Sequence, residues 1–331
     1  MRLIGITTTV PVEVILAAGA VPVDLNNLFI SAAEPQKLIA LAENDGFPLN
    51  TCAWIKGIYG AVLEKGIREV ICVTGGDCSN TVMLMEVLRQ RGIKGIPFNY
   101  PSEPDPAAMA AAIQKLAADL GTTMTGAEEQ RRRLLPLRSL SAKADRLTWQ
   151  DNVLSGQENH VWLVSTSDFN GDPDRFTRDL QSLVDEAGTR PPYPDDELRL
   201  GIIGVPPVFA AGLYDFLERQ GGRAVFNEVQ RQFSMPYPAA DLAEQYTLYT
   251  YPYATEMRLT DIKKAITERR LDGIIHYVQS FCHRAIGDIL MRHEIDLPIL
   301  TIEGNTDLGI SQHLKTRLEA FLDMLRFKKQ I

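Results

Sequence analysis

Apolar positions along the first hundred residues switch between two rhythms. A short apolar run at 3–7 is followed by Pro11, which opens an amphipathic stretch closed by Gly19, and a second run covers 21–25. A helix-like pattern then spans 52–65 and ends at Gly66, a buried strand covers 69–73, a helix covers 79–91 before Gly92, and a strand covers 95–98. Strands that alternate with helices at this spacing imply βαβ units and a parallel sheet. The same rhythm restarts at 198, with strands at 198–204, 223–227, 273–278 and 297–303. The helices predicted among them are 208–220, 257–269 and 285–293, with a closing helix over 312–328. Between about 104 and 188 the alternation stops and only helical patterns remain, at 104–120, 127–149 and 176–187. Pro191, Pro192 and Pro194 then mark a boundary.

These patterns predict an α/β protein with two doubly wound parallel-sheet domains of the Rossmann or flavodoxin type and a helical insert between them. The expected divisions are 1–103, carrying Cys52 and Cys78, then an insert or linker over 104–190, then 191–331, carrying Cys282. A length of 331 residues agrees with more than one domain. No sequence repeat links the two α/β halves.

Charge narrows the function. Lys and Arg number 34 against 42 Asp and Glu, a net charge of −8, the opposite of what a nucleic-acid or anionic-membrane partner selects. No apolar run is long enough for a transmembrane helix. Arg2 and the small residues 17–20 give the N-terminus a superficial likeness to a secretory signal. Thr7, Thr8, Thr9, Pro11 and Glu13 interrupt its apolar core, so it reads as mature structure in a cytoplasmic protein.

The four cysteines, 52, 72, 78 and 282, are too few and too scattered for a disulfide scaffold. The five histidines form no HExxH or HxH spacing. In open α/β sheets ligands bind beyond the carboxyl ends of strands, where loops lead into helices. Cys78 follows the strand 69–73 through Thr74-Gly75-Gly76-Asp77, and Cys282 follows the strand 273–278 through Gln279-Ser280-Phe281. Cys52 follows Asn50-Thr51 and also begins a helix, so all three are read as strand-to-helix positions. Helix N-termini lower thiol pKa values and offer N–H groups to an anionic centre, which suits thiolate ligands of a metal or cluster. A single cysteine is more often a small buried hydrophobe, and Cys72, between Ile71 and Val73, is assigned to the core.

Other features are read more plainly. Arg131-Arg132-Arg133 is taken as a solvated helix face. Gly201-Ile202-Ile203-Gly204 before Pro206-Pro207 is taken as an ordinary strand-to-helix turn, since it lacks a phosphate-loop pattern. Tyr246, Tyr249, Tyr251 and Tyr253 are taken as interface or core packing. His283, beside Cys282, is either a proton donor or a surface residue.

Taken together, the residues resemble the 2-hydroxyacyl-CoA dehydratase and benzoyl-CoA reductase superfamily, in its iron–sulfur-carrying, D-component type of subunit. Residues 10–23, Val-Pro-Val-Glu-Val-Ile-Leu-Ala-Ala-Gly-Ala-Val-Pro-Val, are similar to the family's opening P-x-E-x-x-x-A-x-G-x-x-P segment. Cys52 with Gly57, Asp77-Cys78, and Gly273 with Ser280-Phe281-Cys282 resemble its ligand regions. Pro298-Ile299-Leu300, Glu303, Gln312 and residues 316–322 resemble its C-terminal signature. Glu303-Gly304-Asn305 stands where the family has E-x-D, one carboxylate fewer.

The resemblance implies a [4Fe–4S] cluster held by three cysteines, Cys52, Cys78 and Cys282, with one iron position open. It implies an ATP-dependent activator that supplies a low-potential electron. It also implies an acyl-CoA substrate that is dehydrated or reduced, by lyase- or oxidoreductase-type chemistry, and a homo- or hetero-dimer with a related subunit. One cluster would then bridge both α/β domains. Glu13, Ser280 and Glu303, at strand ends, are the further candidates for contacting cluster or substrate. The alternatives are a non-catalytic electron-transfer or assembly subunit that carries the cluster, and a Zn²⁺ site built from the same thiolates.

Overall fold

A computed structural model describes residues 1–306 and 309–330 and, of residues 210 and 211, the backbone. Two four-stranded sheets, each wholly parallel, carry the fold. In the first, β1 (Leu3–Ile6), β2 (Val21–Asp24), β3 (Glu69–Gly75) and β4 (Lys94–Asn99) stand in the order β2-β1-β3-β4. In the second, β5 (Leu198–Gly204), β6 (Gly222–Asn227), β7 (Gly273–Gln279) and β8 (Ile299–Gly304) repeat the plan as β6-β5-β7-β8. The expected α/β class with two doubly wound sheets is what the chain adopts. The described residues from 104 to 188 contain helices and no strand.

The strands read as near-continuous apolar runs because both faces of a parallel sheet are covered. In the second sheet the alternation of side chains is sorted cleanly. Leu198, Leu200, Ile202, Ile275 and Tyr277 share one core with Leu213, Leu217, Leu318 and Leu322. Ile203, Val225 and Ile274 share another with Leu259, Ile262 and Met291. The closing helix Gln312–Gln330 buries Leu314, Leu318, Phe321, Leu322 and Leu325, a helical stripe.

Contacts group the chain into two compact units. Unit 1 is Met1–Ser139, Ser165–Thr177 and Phe233–Ala254, and unit 2 is Leu140–Val164, Arg178–Gln232 and Thr255–Ile331. The helical stretch between the sheets is therefore shared out between the units. The tyrosine-rich stretch, which follows β6 in sequence, belongs to unit 1.

Two helices near the start of unit 1 were not anticipated, Leu25–Ile30 and Pro35–Asn44. Against them lies the helix Ala53–Lys65, and its approach depends on Gly57. A Cβ at that position would fall 2.3 Å from the Phe29 ring.

Candidate functional site

In a sheet ordered β2-β1-β3-β4 the chain leaves β1 and β3 in opposite directions, which opens a crevice beyond their carboxyl ends. Cys78 lies in the loop after β3. In unit 2 the corresponding strand is β7, and Cys282 lies in the loop after it. The two thiols thus occupy the same topological position in two sheets of the same plan.

In unit 1 the Cys78 loop is wedged. Gly76 has φ +88, and a Cβ there would stand 2.8 Å from Cβ of Tyr100 and 3.0 Å from Cβ of Pro252. The carbonyl of Cys78 accepts the Thr81 N–H (3.0 Å) as the helix Asn80–Gln90 begins. Cys52 is the N-cap residue of the helix Ala53–Lys65, and its carbonyl accepts the Lys56 N–H. It does not follow a strand as the spacing implied: the loop before it comes from the helix Pro35–Asn44. The buried Lys56 pins that loop, donating to Glu43 Oε1 (2.6 Å) and the Leu49 carbonyl (3.2 Å). Cys52 is buried and Cys78 half-buried, and none of the four cysteines is in a disulfide. Cys72 sits in mid-strand with no exposure, and burial pushes its thiol up to about 12, so it stays protonated and in the core as expected.

Glu13 opens the short helix Val12–Ala17 beyond β1 and is fully buried. Arg138 Nη2 (2.6 Å) and Gln245 Nε2 (2.9 Å) donate to Oε1, and the Tyr246 hydroxyl (2.8 Å) donates to Oε2. Burial alone would raise its pKa, but the Arg138 charge and these hydrogen bonds win, and the carboxylate stays below its usual range. Neither Arg138 nor Gln245 was singled out in the sequence. They lie 125 and 232 positions from Glu13, too far along the chain for local spacing to link them.

The tyrosine stretch is core. Tyr246, Tyr249 and Tyr253 are buried in unit 1, and Tyr249 packs 5.9 Å from Tyr100, ring centre to ring centre. Arg131 is likewise not solvated: it is buried and donates to the carbonyls of Ala239 and Ala240, leaving Arg132 and Arg133 as the outward members of the run. A cavity of about 470 Å³ in unit 1 is lined by Thr51, Ile55, Tyr59, Asn80, Leu84 and Arg91 among others.

In unit 2, Cys282 caps a 3-10 turn, His283–Gly287, that runs into the helix Asp288–Glu294. The residue before it, Phe281, has φ +61 and an exposed ring. Asp288 anchors this turn to the sheet: it accepts from Thr301 Oγ1 (2.6 Å) and Arg292 Nε (2.7 Å), and lies 2.7 Å from His276 Nδ1. Burial drives the His276 pKa down further than Asp288 raises it, so the ring is neutral and donates Nδ1–H to the carboxylate. His283 points outward. Ser280 and Glu303, placed at strand ends by the sequence, do meet: Ser280 Oγ donates to Glu303 Oε1 at 2.6 Å.

Among the described residues no three His, Cys, Asp or Glu side chains are gathered closely enough to hold a metal ion. What the chain offers a cluster is donor chemistry: three thiols at helix or turn starts, the arrangement that favours thiolates, beside one core thiol that does not fit. No helix is long and apolar enough to cross a membrane.

The class defined here is a two-sheet α/β protein with paired cysteine loops beyond equivalent strands. Residues 7–325 match the family model described as 2-hydroxyglutaryl-CoA dehydratase, D-component, and the chain belongs to that family. It is thus a dehydratase-type component of the 2-hydroxyacyl-CoA dehydratase system, a family that carries a [4Fe–4S] cluster. No curated protein sequence matches the chain significantly.

Proposed function

We propose that Cys52, Cys78 and Cys282 hold a [4Fe–4S] cluster with one iron position open, and that the chain works with an ATP-dependent activator on a small acyl-CoA. The observation that carries this reading is the equivalence of the Cys78 and Cys282 loops, each beyond the third strand of its sheet in chain order. A bound cluster would supply one-electron reduction at low potential, tuned by thiolates, burial and nearby dipoles. The chain's own residues do the rest. Lys56 and Asp288 hold the Cys52 and Cys282 segments in place. Ser280 and Glu303 present a hydroxyl–carboxylate pair two residues before Cys282 and at the adjacent strand end, where a substrate hydroxyl or carbonyl would find a donor and an acceptor. The unit 1 cavity beside Thr51 and Asn80 has the size of a small-molecule site and suits the thioester arm.

A second reading, a cluster-carrying electron-transfer or assembly subunit, is favoured by one observation. The Glu13 carboxylate is already committed to Arg138, Gln245 and Tyr246, so in this state it serves as a brace and not as a base. The tyrosine stretch, being buried, gives no support to a dimer. Pairing with a related subunit rests on family membership.

Protein prepared without oxygen separates these readings. A four-iron visible and EPR signature with turnover of an acyl-CoA in the presence of activator and ATP supports the first. Cluster reduction without turnover supports the second. Zinc in place of iron removes both.

A further inference from the structure

We propose that Asp24 and Asp168 form a pH-sensitive latch in unit 1, a buried acid pair that holds a proton while the strap 165–171 is closed and releases it each time the strap opens.

Asp24 ends β2 and caps the helix Leu25–Ile30, its Oδ1 accepting the Asn26 N–H and the Asn26 side-chain amide, both at 2.8 Å. Asp168 caps the turn Phe169–Gly171 through Oδ1, which accepts the Asn170 N–H at 2.9 Å. Its Oδ2 accepts the backbone N–H of Asp24 at 2.7 Å, so the second carboxyl is fixed against the first residue's own backbone. Both residues are almost completely buried, 3% and 6% exposed.

The groups that face the pair are neutral. They are the Asn26 amide and the Ser167 hydroxyl, and among the described residues neither carboxylate has an arginine or lysine partner. The cation packed on the strap, Arg138, lies with its guanidinium carbon 5.5 Å from the Phe169 ring centre and gives its charge to Glu13 at 2.6 Å. Two carboxylates that share one buried site do not both ionise readily. Burial first, then the Asp24 charge, push Asp168 up to about 7, and burial raises Asp24 as well.

The strap has reason to open. Phe169 and Asn170 hold φ values of 53° and 52°, left-handed backbone that only the surrounding bonds maintain. Unit 2 shows the ordinary solution at the corresponding place: Glu228, directly after β6, is met by Arg258 Nε at 2.7 Å.

An acid whose pKa is raised by folding loses its stabilising proton as pH rises from its ordinary value towards the folded one. Strap opening therefore increases with pH up to about 7 and levels off above it. Hydrogen–deuterium exchange of residues 165–171, corrected for the intrinsic pH dependence of amide exchange, reads this directly. Opening is expected to rise by up to about tenfold per pH unit below 7, and Asp168→Asn is expected to abolish the slope. Infrared spectra supply a second check: a protonated-carboxyl C=O band lost as pH passes 7 in the unmutated protein, and lost at lower pH in Asp24→Asn, where burial alone still raises Asp168. A flat wild-type profile, a slope retained in Asp168→Asn, or strap protection that rises with added Mg²⁺ or Ca²⁺ at constant pH overturns the latch.

Discussion

The two sheets follow one plan and settle their charges differently. At the carboxyl end of the second strand of each sheet stands a buried acid, Asp24 as the last residue of β2 and Glu228 directly after β6. Glu228 receives a two-pronged arginine, with Arg258 Nε to Oε1 and Nη2 to Oε2, and also accepts the Gly204 N–H. Asp24 receives only neutral donors and a second acid. Topology, then, places a carboxylate at the end of a strand without deciding what neutralises it. That depends on which distant segment is laid against it: the helix Thr255–Arg269 in unit 2, and the strap around Asp168 in unit 1.

The cysteine loops make the complementary point. Cys78 and Cys282 share a position, and their surroundings differ. The first is wedged by aromatic and proline side chains, the second tethered through Asp288 to two strands. The comparison is tested most severely by removing thiols. Cys52→Ala, Cys78→Ala and Cys282→Ala are each expected to lose most of the iron, measured by metal analysis after anaerobic reconstitution. Cys72→Ala is expected to keep it and to cost roughly 1–3 kcal/mol as a small core cavity. If Cys72→Ala bleaches the protein and Cys52→Ala does not, the positional equivalence means nothing.

Breaking the unit 2 ion pair comes next. Arg258→Ala leaves Glu228 buried without its cation, for which a loss of about 3–5 kcal/mol is expected in denaturant unfolding. Adding Glu228→Gln to Arg258→Ala is expected to recover part of that loss. If the double variant is no better than the single one, the charge of Glu228 is not what costs.

The two units are also expected to respond to pH with opposite signs. His160, buried in unit 2 with Nδ1 2.8 Å from the Gln230 amide, is pushed down to about 4 by burial. A histidine whose pKa is lowered by folding contributes stability that is complete above its ordinary value of 6.5 and is lost as pH falls towards 4, about 3 kcal/mol in all. Asp168 in unit 1 acts the other way, destabilising as pH rises towards 7. Hydrogen exchange resolved by segment is expected to show unit 2 loosening on acidification and the unit 1 strap tightening. Parallel profiles in both units would erase the distinction.

The smallest effect is expected at Ser280. Its hydrogen bond to Glu303 is at the surface, so Ser280→Ala is expected to shift stability by no more than about 0.5 kcal/mol and to leave iron content unchanged. A fall in turnover without either change would assign the pair to the substrate; a fall in iron would assign it to the cysteine loop.

Much of this architecture is legible in the sequence, and the reason is local. Strand 198–204 and the helix closed by Gly66 follow from periodicities and capping residues only a few positions apart. Cys72 is recognisable as core because its neighbours Ile71 and Val73 continue a strand. Cys52 departs from its strand-to-helix reading for a local reason too: the helices Leu25–Ile30 and Pro35–Asn44 carry weak patterns, so the loop before Cys52 is taken to follow a strand when it follows the second of these helices.

By itself, then, the amino-acid order determined the alternation of strands and helices, the parallel sheets, and the places where loops would present Cys78 and Cys282. Each of those follows from backbone preferences and apolar spacing within a dozen residues. Only the tertiary structure decided that residues 233–254 fold into unit 1, that Arg131 is buried, and that Glu13 is braced by Arg138 and Gln245. It also decided that Asp24 faces a second acid where Glu228 faces an arginine. A buried charge is neutralised by whichever group is packed against it, and here those groups come from segments that local spacing does not link.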